Sequence, residues 1–274
     1  MRVERSVLTT GAGSGIGLAC AIEAARLGFT SVAAVHRADQ VVPTRAAAEA
    51  AGVDLTVEVL DVTDEAAASA LIDRIEPWAL VQNAGYMNAG LLEDVPVDDA
   101  RRQYEVMLFG PLRLVQLALP GLRRRGGGRI VFVSSSIGQM TVPFQGWYGA
   151  VKRSLSALAD TLRTEVVADA IDVVLVEPGS IDTPLWDKAR AELAAYRTDT
   201  REPSRYDRAI EALEQAREYG ADPGEVAHVV GEVLHAGHPP FLRRVGTGSR
   251  AVVLAGKFLP TSVRDRLTRA VGGL

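Results

Sequence analysis

The sequence predicts a doubly wound α/β fold, a parallel sheet of about seven strands flanked by helices. Three observations predict it. Short apolar, β-branched runs alternate with longer helical patterns along the 274 residues. Most of those runs are continuously apolar, as strands covered on both faces require. The composition, 47% hydrophobic but only 5% aromatic, suits helices packed closely on a buried sheet. The alternation implies right-handed βαβ crossovers.

The elements follow in order. A strand at Ser6–Thr9 leads to a helix at Gly15–Leu27, and a strand at Ser31–His36 to a helix at Thr44–Ala51. Leu55–Val59 is a strand and Glu65–Glu76 a helix; Ala79–Gln82 is a strand and Val97–Arg123 a long helix. Ile130–Ser134 is the fifth strand, Gln145–Ala168 a helix, Asp172–Val176 the sixth strand and Phe241–Val245 the seventh. Pro184–Gly220 departs from this rhythm. It is helical and charged, is interrupted by Thr198-Asp199-Thr200 and Pro203, and is longer than a crossover needs. It reads as a lid or binding segment or as a surface excursion. The tail, Thr261–Leu274, reads as a short basic amphipathic helix followed by Gly272-Gly273, suited to packing or oligomer contact. No repeat or composition break appears, so residues 1–274 form one expected domain.

A net charge of −4 gives no global basic field for nucleic acid. Arg123-Arg124-Arg125 before Gly126-Gly127-Gly128 marks a solvated helix end, where cations suit the dipole. Cys20 is the only cysteine, which excludes an internal disulfide and reads as a packed thiol. Met1-Arg2-Val3-Glu4-Arg5 runs into the first strand with no secretory apolar region, and no uninterrupted apolar stretch is expected to span a bilayer. A cytoplasmic location follows as the expectation, with no membrane and no nucleic-acid partner. No metal ligand set is assigned.

Thr10-Gly11-Ala12-Gly13-Ser14-Gly15-Ile16-Gly17 follows the first strand and opens the first helix. Glycines let the backbone turn tightly against a pyrophosphate, and the helix N-terminus offers N–H groups and partial positive charge. Strand, turn and helix stand in the order a dinucleotide site needs, and no Gly-Lys-Ser/Thr follows to make a P-loop. The second strand ends at His36-Arg37, with no acid until Asp39. Arg37 either holds a 2′-phosphate, which favours NADP over NAD, or is a solvated surface residue.

Tyr148 and Lys152 stand four residues apart on a predicted helix and so share a face. A free phenol, with a pKa of about 10, is a poor acid–base group at neutral pH. A nearby ammonium favours the phenolate. Ser135, thirteen residues upstream of Tyr148, is placed to hold a substrate oxygen beside the phenol.

Together these residues resemble the classical short-chain dehydrogenases/reductases. Asp61-Val62 after the third strand, Asn83-Ala84-Gly85 after the fourth and Pro178-Gly179-Ser180-Ile181-Asp182-Thr183 after the sixth extend the resemblance over about Val7 to Thr183. It implies a Rossmann-type fold and an NADP(H)-dependent oxidoreductase interconverting a ketone or aldehyde with an alcohol. In that pattern Tyr148 is the acid/base, Lys152 lowers its pKa and binds the nicotinamide ribose, and Ser135 orients the substrate. Ser134 and Ser136 are alternatives to Ser135. Gly11, Ser14, Gly15, Ile16 and Gly17 wrap the pyrophosphate. Asp61 and Val62 meet the adenine, Asn83, Ala84 and Gly85 the adenosine-side ribose region, and Pro178, Gly179, Ile181 and Thr183 the nicotinamide. The resemblance also implies a homodimer or homotetramer through the long fourth and fifth helices.

One position departs from the pattern. Glu105-Val106-Met107-Leu108-Phe109-Gly110 carries Met107 where the family usually has an asparagine that supports a helix irregularity and a water beside the lysine. A thioether is a weak acceptor and no donor. Either a backbone carbonyl replaces that relay, or it is impaired, or Met107 lines an apolar pocket. Tyr86, Met87, Met140, Phe144, Trp147, Leu185 and Trp186 cluster near the motifs and suggest a roomy apolar site for a hydrophobic carbonyl or alcohol substrate of steroid, retinoid, polyketide or terpenoid type. A catalytically impaired NADP-binding regulatory or scaffold protein is the second reading. A sugar epimerase or dehydratase suits the length and glycine spacing less well.

Overall fold

Seven parallel strands form one sheet in the order β3-β2-β1-β4-β5-β6-β7. They are β1 (Ser6–Thr10), β2 (Thr30–Val35), β3 (Thr56–Val59), β4 (Ala79–Gln82), β5 (Gly128–Val133), β6 (Ile171–Pro178) and β7 (Leu242–Val245). The computed structural model describes residues 5–246, 253 and 259–271. The expected run-in at Met1–Glu4 and the Gly272-Gly273 pair lie outside the described residues. The order reverses between β1 and β4, so the C-terminal strand ends leave a crevice there.

Successive strand residues point to opposite faces, and each face finds its own helices. Leu8, Leu80, Ile130, Phe132 and Leu175 pack in one core with Leu114, Leu122 and Leu155. Those three come from α5 (Gly110–Arg124) and α6 (Gly146–Glu165). Val7, Val81, Val131, Val174 and Val176 pack on the other side with Cys20, Val226, Val230 and Val233. Cys20 belongs to α1 (Gly15–Arg26), and burial pushes its thiol up to about 12, with Glu23 adding to the effect. It is a packed, inert side chain as expected.

The helix that carries Val226, Pro223–His235, does not appear among the patterns read from the sequence. Its start is nonetheless written there. Asp222 caps it by accepting from the Gly224 N–H, and Pro223 occupies the first turn. It packs along α1 and is fastened at its C-terminus by buried Arg129, which donates to the Val233 and Ala236 carbonyls and pairs with Asp172.

α2 (Val41–Ala50) begins three residues earlier than expected, because Pro43 is tolerated in a first turn. α3 is Glu65–Ile75. The long helix predicted over Val97–Arg123 is two helices, α4 (Val97–Tyr104) and α5, joined by a π-helical turn at Glu105–Phe109. The cause is local. Pro111 lacks the N–H that an α-helix would give the Met107 carbonyl, and the Gly110 N–H reaches back five residues to Glu105. By length and composition the combined 28 residues, Val97–Arg124, could cross a bilayer, contrary to the sequence expectation. Its apolar face is instead packed into the core through Leu108, Leu114, Val115, Ala118 and Leu122.

Between β6 and β7 the chain forms α7 (Leu185–Tyr196) and α8 (Pro203–Glu218), which pack on each other, then α9 (Pro223–His235). The break between α7 and α8 falls at the expected Thr198-Asp199-Thr200 and Pro203. The tail helix, α10, runs Thr261–Val271.

Candidate active site

Each expected site segment follows a strand, and all strands run parallel, so the segments meet along one sheet edge. Gly11 leaves β1 with φ +65°, a left-handed conformation that favours glycine. A Cβ on Gly17 would lie 2.3 Å from the Gly11 carbonyl oxygen and 2.4 Å from Asn83 Nδ2, so α1 rests directly on the turn. Asn83 has a part the sequence reading did not assign. Its amide donates to the Thr10 and Gly11 carbonyls at 3.2 Å each, and Thr10 Oγ1 accepts the Asn83 and Ala84 N–H groups at 3.1 Å. Asn83 and Thr10 therefore hold the glycine turn against β4, while Ala84 and Gly85 line the cavity beside it.

That cavity, about 880 Å³, runs from Gly11, Gly13 and Ser14 past His36, Arg37 and Gln40 to Asp61 and Val62. Ser14, which precedes α1 and lines the cavity, makes no side-chain cap to the first turn of that helix. An uncapped helix N-terminus, glycines that bring the backbone close, and a cavity of this volume fit a nicotinamide dinucleotide. Thr183 closes the turn from above. Its Cγ2 would lie 2.9 Å from a Cβ on Gly15.

Arg37 is half exposed and its guanidinium is held by Asp39 at 3.0 and 3.1 Å, a hydrogen-bonded pair that raises the arginine and lowers the acid. Gln40, missed in the sequence, accepts the Arg37 N–H at 3.1 Å and lines the same wall. Asp61 is partly buried, which raises its carboxyl. The Thr63 N–H and hydroxyl at 2.9 and 2.8 Å outweigh this, so it stays below its ordinary value. His36 Nε2 lies 3.5 Å from it.

Ser135, Tyr148 and Lys152 come together at the end of β5, each nine-tenths buried or more. The Ser135 hydroxyl faces that of Tyr148, lowering its pKa, and accepts the Ile137 N–H at 3.2 Å. Ser134 is directed elsewhere, toward the Lys152 carbonyl at 3.2 Å and Ser156 at 3.0 Å, which leaves Ser135 facing the phenol. Burial dominates the titration of both groups. Desolvation pushes Tyr148 up to about 12, against the pull of the Ser135 hydroxyl, and pushes Lys152 down to about 8. Lys152 Nζ lies 5.7 Å from the tyrosine ring centre and donates to the Val133 carbonyl at 2.8 Å. Met107 sits at the centre of the π turn, 1% exposed, with its thioether against Gly85.

The proposed apolar residues separate. Met87, Phe144 and Trp186 are buried in the main core, with Leu185 partly buried against it. The Trp186 indole donates to the Ile181 carbonyl at 2.7 Å, which ties the base of α7 to the strand end. Phe144 is a bulky residue at φ +64°, held by the Gly90 N–H on its carbonyl and by an edge-on contact with Tyr206 of α8. It lines a small apolar cavity of about 60 Å³ under α7 and α8, with Val142, Leu193 and Leu213. Met140 is half-buried at the end of the Ser135 turn. Trp147 does not join them. It faces a separate groove beside Val97, Tyr104 and Phe109, on the outer side of α6. Adjacent residues on a helix point about 100° apart, so the neighbour of an inward tyrosine looks out.

A sheet of this order, with an uncapped glycine turn and a serine–tyrosine–lysine cluster at its carboxyl edge, defines a dinucleotide-dependent oxidoreductase. A family model described as short chain dehydrogenase matches residues 5–194. The chain is 30% identical to "Uncharacterized oxidoreductase YusZ" of Bacillus subtilis, covering 97% of this chain and 98% of that protein. It is 34% identical to "Retinol dehydrogenase 8" of Bos taurus, covering 89% and 82%. The crystal structure of a short-chain dehydrogenase/reductase from Burkholderia phymatum in complex with NAD superposes with a TM-score of 0.78 at 25% identity, covering 97% of this chain and 94% of that one. The chain belongs to the short-chain dehydrogenase/reductase family and is an oxidoreductase with an NAD(P)-binding fold.

Proposed function

We propose that the protein interconverts a ketone or aldehyde with an alcohol on an apolar small molecule, using NADP(H), with Tyr148 exchanging the proton of the substrate oxygen. One observation carries this reading: the buried Tyr148 hydroxyl faces the Ser135 hydroxyl, with Lys152 Nζ 5.7 Å from the tyrosine ring centre. A bound nicotinamide supplies or accepts the hydride at the substrate carbon. A substrate oxygen accepts from both the Ser135 and the Tyr148 hydroxyls. A phenol raised to about 12 holds its proton at neutral pH and so can donate it to the substrate oxygen. Lys152, held on Val133, presents positive charge behind the phenol as its proton leaves. Pro178, Gly179, Ile181 and Thr183 border the nicotinamide end, and Asp61 and Val62 the adenine end.

NADP rests on Arg37 and His36 at the end of β2, in a cavity wall that Arg37 shares with Gln40. Arg37 would turn its guanidinium fork from Asp39 to a 2′-phosphate, since a phosphate offers more charge and more acceptors than one carboxylate. An apolar substrate is supported by half-buried Met140 at the end of the Ser135 turn and by the retinol dehydrogenase relative. In this reading the protein works in the cytoplasm as a homodimer or homotetramer. Half-exposed Val97 and Phe109, 55% and 48%, beside Trp147 give a second copy an apolar surface. The test is cofactor consumption on a panel of carbonyl compounds. Bulky apolar ketones or aldehydes should be reduced with NADPH well above small sugars; preference for polar sugars would overturn the substrate class.

A further inference from the structure

Glu177 stands on β6 immediately before Pro178, and none of it reaches solvent. Two elements supply its partners. Arg244 of β7, opposite it in the strand register, donates from Nε at 3.0 Å. Gln139 donates from Nε2 to the other carboxylate oxygen at 2.7 Å. Gln139 closes the 3₁₀ turn Ser136–Gln139, and that turn is built on Ser135. The Ser135 carbonyl accepts the Gly138 N–H at 3.0 Å while its hydroxyl accepts that of Ile137. A second tether reaches the turn from α6, where Arg153 Nε donates to the Gly138 carbonyl at 2.8 Å.

The two tethers refer Ser135 to two different frames. Arg153 follows Lys152 in sequence and ties the turn to the helix that carries Tyr148. Glu177 precedes Pro178 and ties the same turn to the segment Pro178–Thr183. We propose that Gln139 and Glu177 form a positioning pair that sets the Ser135 hydroxyl against Tyr148 and the nicotinamide-side segment. The proposal rests on the carbonyl-reducing reading above. Arg244 neutralises the buried carboxylate, and the hydrogen bond to Gln139 is strong because its acceptor is charged and dry. If the Glu177–Arg244 pair served only the sheet edge, Gln139 would be dispensable.

Gln139→Ala separates the two roles, since it leaves the Glu177–Arg244 pair intact. Hydrogen exchange of residues 135–140 should quicken in this variant while β6 and β7 stay protected. The kcat should fall by roughly tenfold to a hundredfold, as expected when a reacting group is misplaced by about 1 Å, with NADPH affinity changed by less than about twofold. Gln139→Glu supplies a readout that a purely structural role does not move. Two facing carboxylates share a proton at low pH, so its kcat relative to wild type should recover as pH falls, while Gln139→Ala stays flat. Unaltered exchange at 135–140 in an active enzyme would overturn the proposal alone, as would equal losses in kcat and NADPH affinity. Wild-type protein that reduces no carbonyl compound would overturn the functional reading and the catalytic half of this one with it.

Discussion

Replacing Lys152 by methionine should stabilise the cofactor-free protein at neutral pH while abolishing turnover. The side chain is fully buried, and burial lowers its pKa from 10.5 to about 8. A difference of about 2.5 pH units, at about 1.36 kcal/mol each, puts the cost of the buried charge at roughly 3 kcal/mol. Methionine fills similar space without charge but leaves the Val133 carbonyl without its lysine donor, returning about 1 kcal/mol. The net gain is about 2 kcal/mol, or roughly 4 °C in Tm for a chain of this size. The pH dependence fixes the cause. Below pH 8 folded and unfolded lysine both hold the proton and the cost is constant. Between about 8 and 10.5 only the unfolded chain holds it, so wild-type stability rises with pH across that window and the advantage of the variant disappears. Tyr148 works the other way, its contribution being lost as pH rises from 10 to about 12, but it is present in both proteins and cancels. Thermal unfolding followed by circular dichroism at pH 7 and pH 10 makes the measurement. A variant less stable than wild type at both values would refute the reasoning, because the lysine charge would then be compensated by its site.

Two further substitutions test the surroundings. Met107→Asn places an amide in a buried apolar spot against Gly85 and should cost about 1–3 kcal/mol in unfolding. Because Lys152 already has the Val133 carbonyl, kcat should change by less than about threefold; a large gain would mean that Met107 obstructs proton movement behind the lysine. Arg37→Asp should weaken NADPH binding by about tenfold or more in a fluorescence titration and NADH binding far less; equal losses would refute the NADP assignment.

The glycine cradle, the parallel sheet and the serine–tyrosine–lysine cluster were legible because each depends on local pattern or on parallel topology. A segment after a parallel strand must emerge at the carboxyl edge, whatever its side chains do. What escaped depends on contacts distant in sequence or on a single backbone atom. The π turn follows from the N–H that Pro111 lacks, a detail invisible to apolar periodicity. β5 starts two residues early because Gly127, at φ +132°, lets pairing begin at Gly128. Asn83 was expected near a ribose, but its amide is committed to carbonyls some seventy positions away. Ser135 was already favoured over Ser134 by its thirteen-residue spacing from Tyr148, but that the Ser134 hydroxyl is taken up by the Lys152 carbonyl and Ser156 was not readable. The helix Pro223–His235 was missed although Asp222-Pro223 is a readable start signal. Glu177 falls just past the expected end of the sixth strand, and its part shows only when Gln139 and Arg244 are brought to it.

The central claim is that Tyr148 carries the proton. Single-turnover consumption of NADPH with a bulky apolar ketone, compared between wild type and Tyr148→Phe, tests it most directly. Phenylalanine keeps the ring packing and removes only the hydroxyl that faces Ser135. The rate should fall by about 10²–10⁴-fold, the usual weight of a positioned general acid, with NADPH affinity preserved. A rate for Tyr148→Phe equal to that of wild type would contradict it and leave another group as the proton donor.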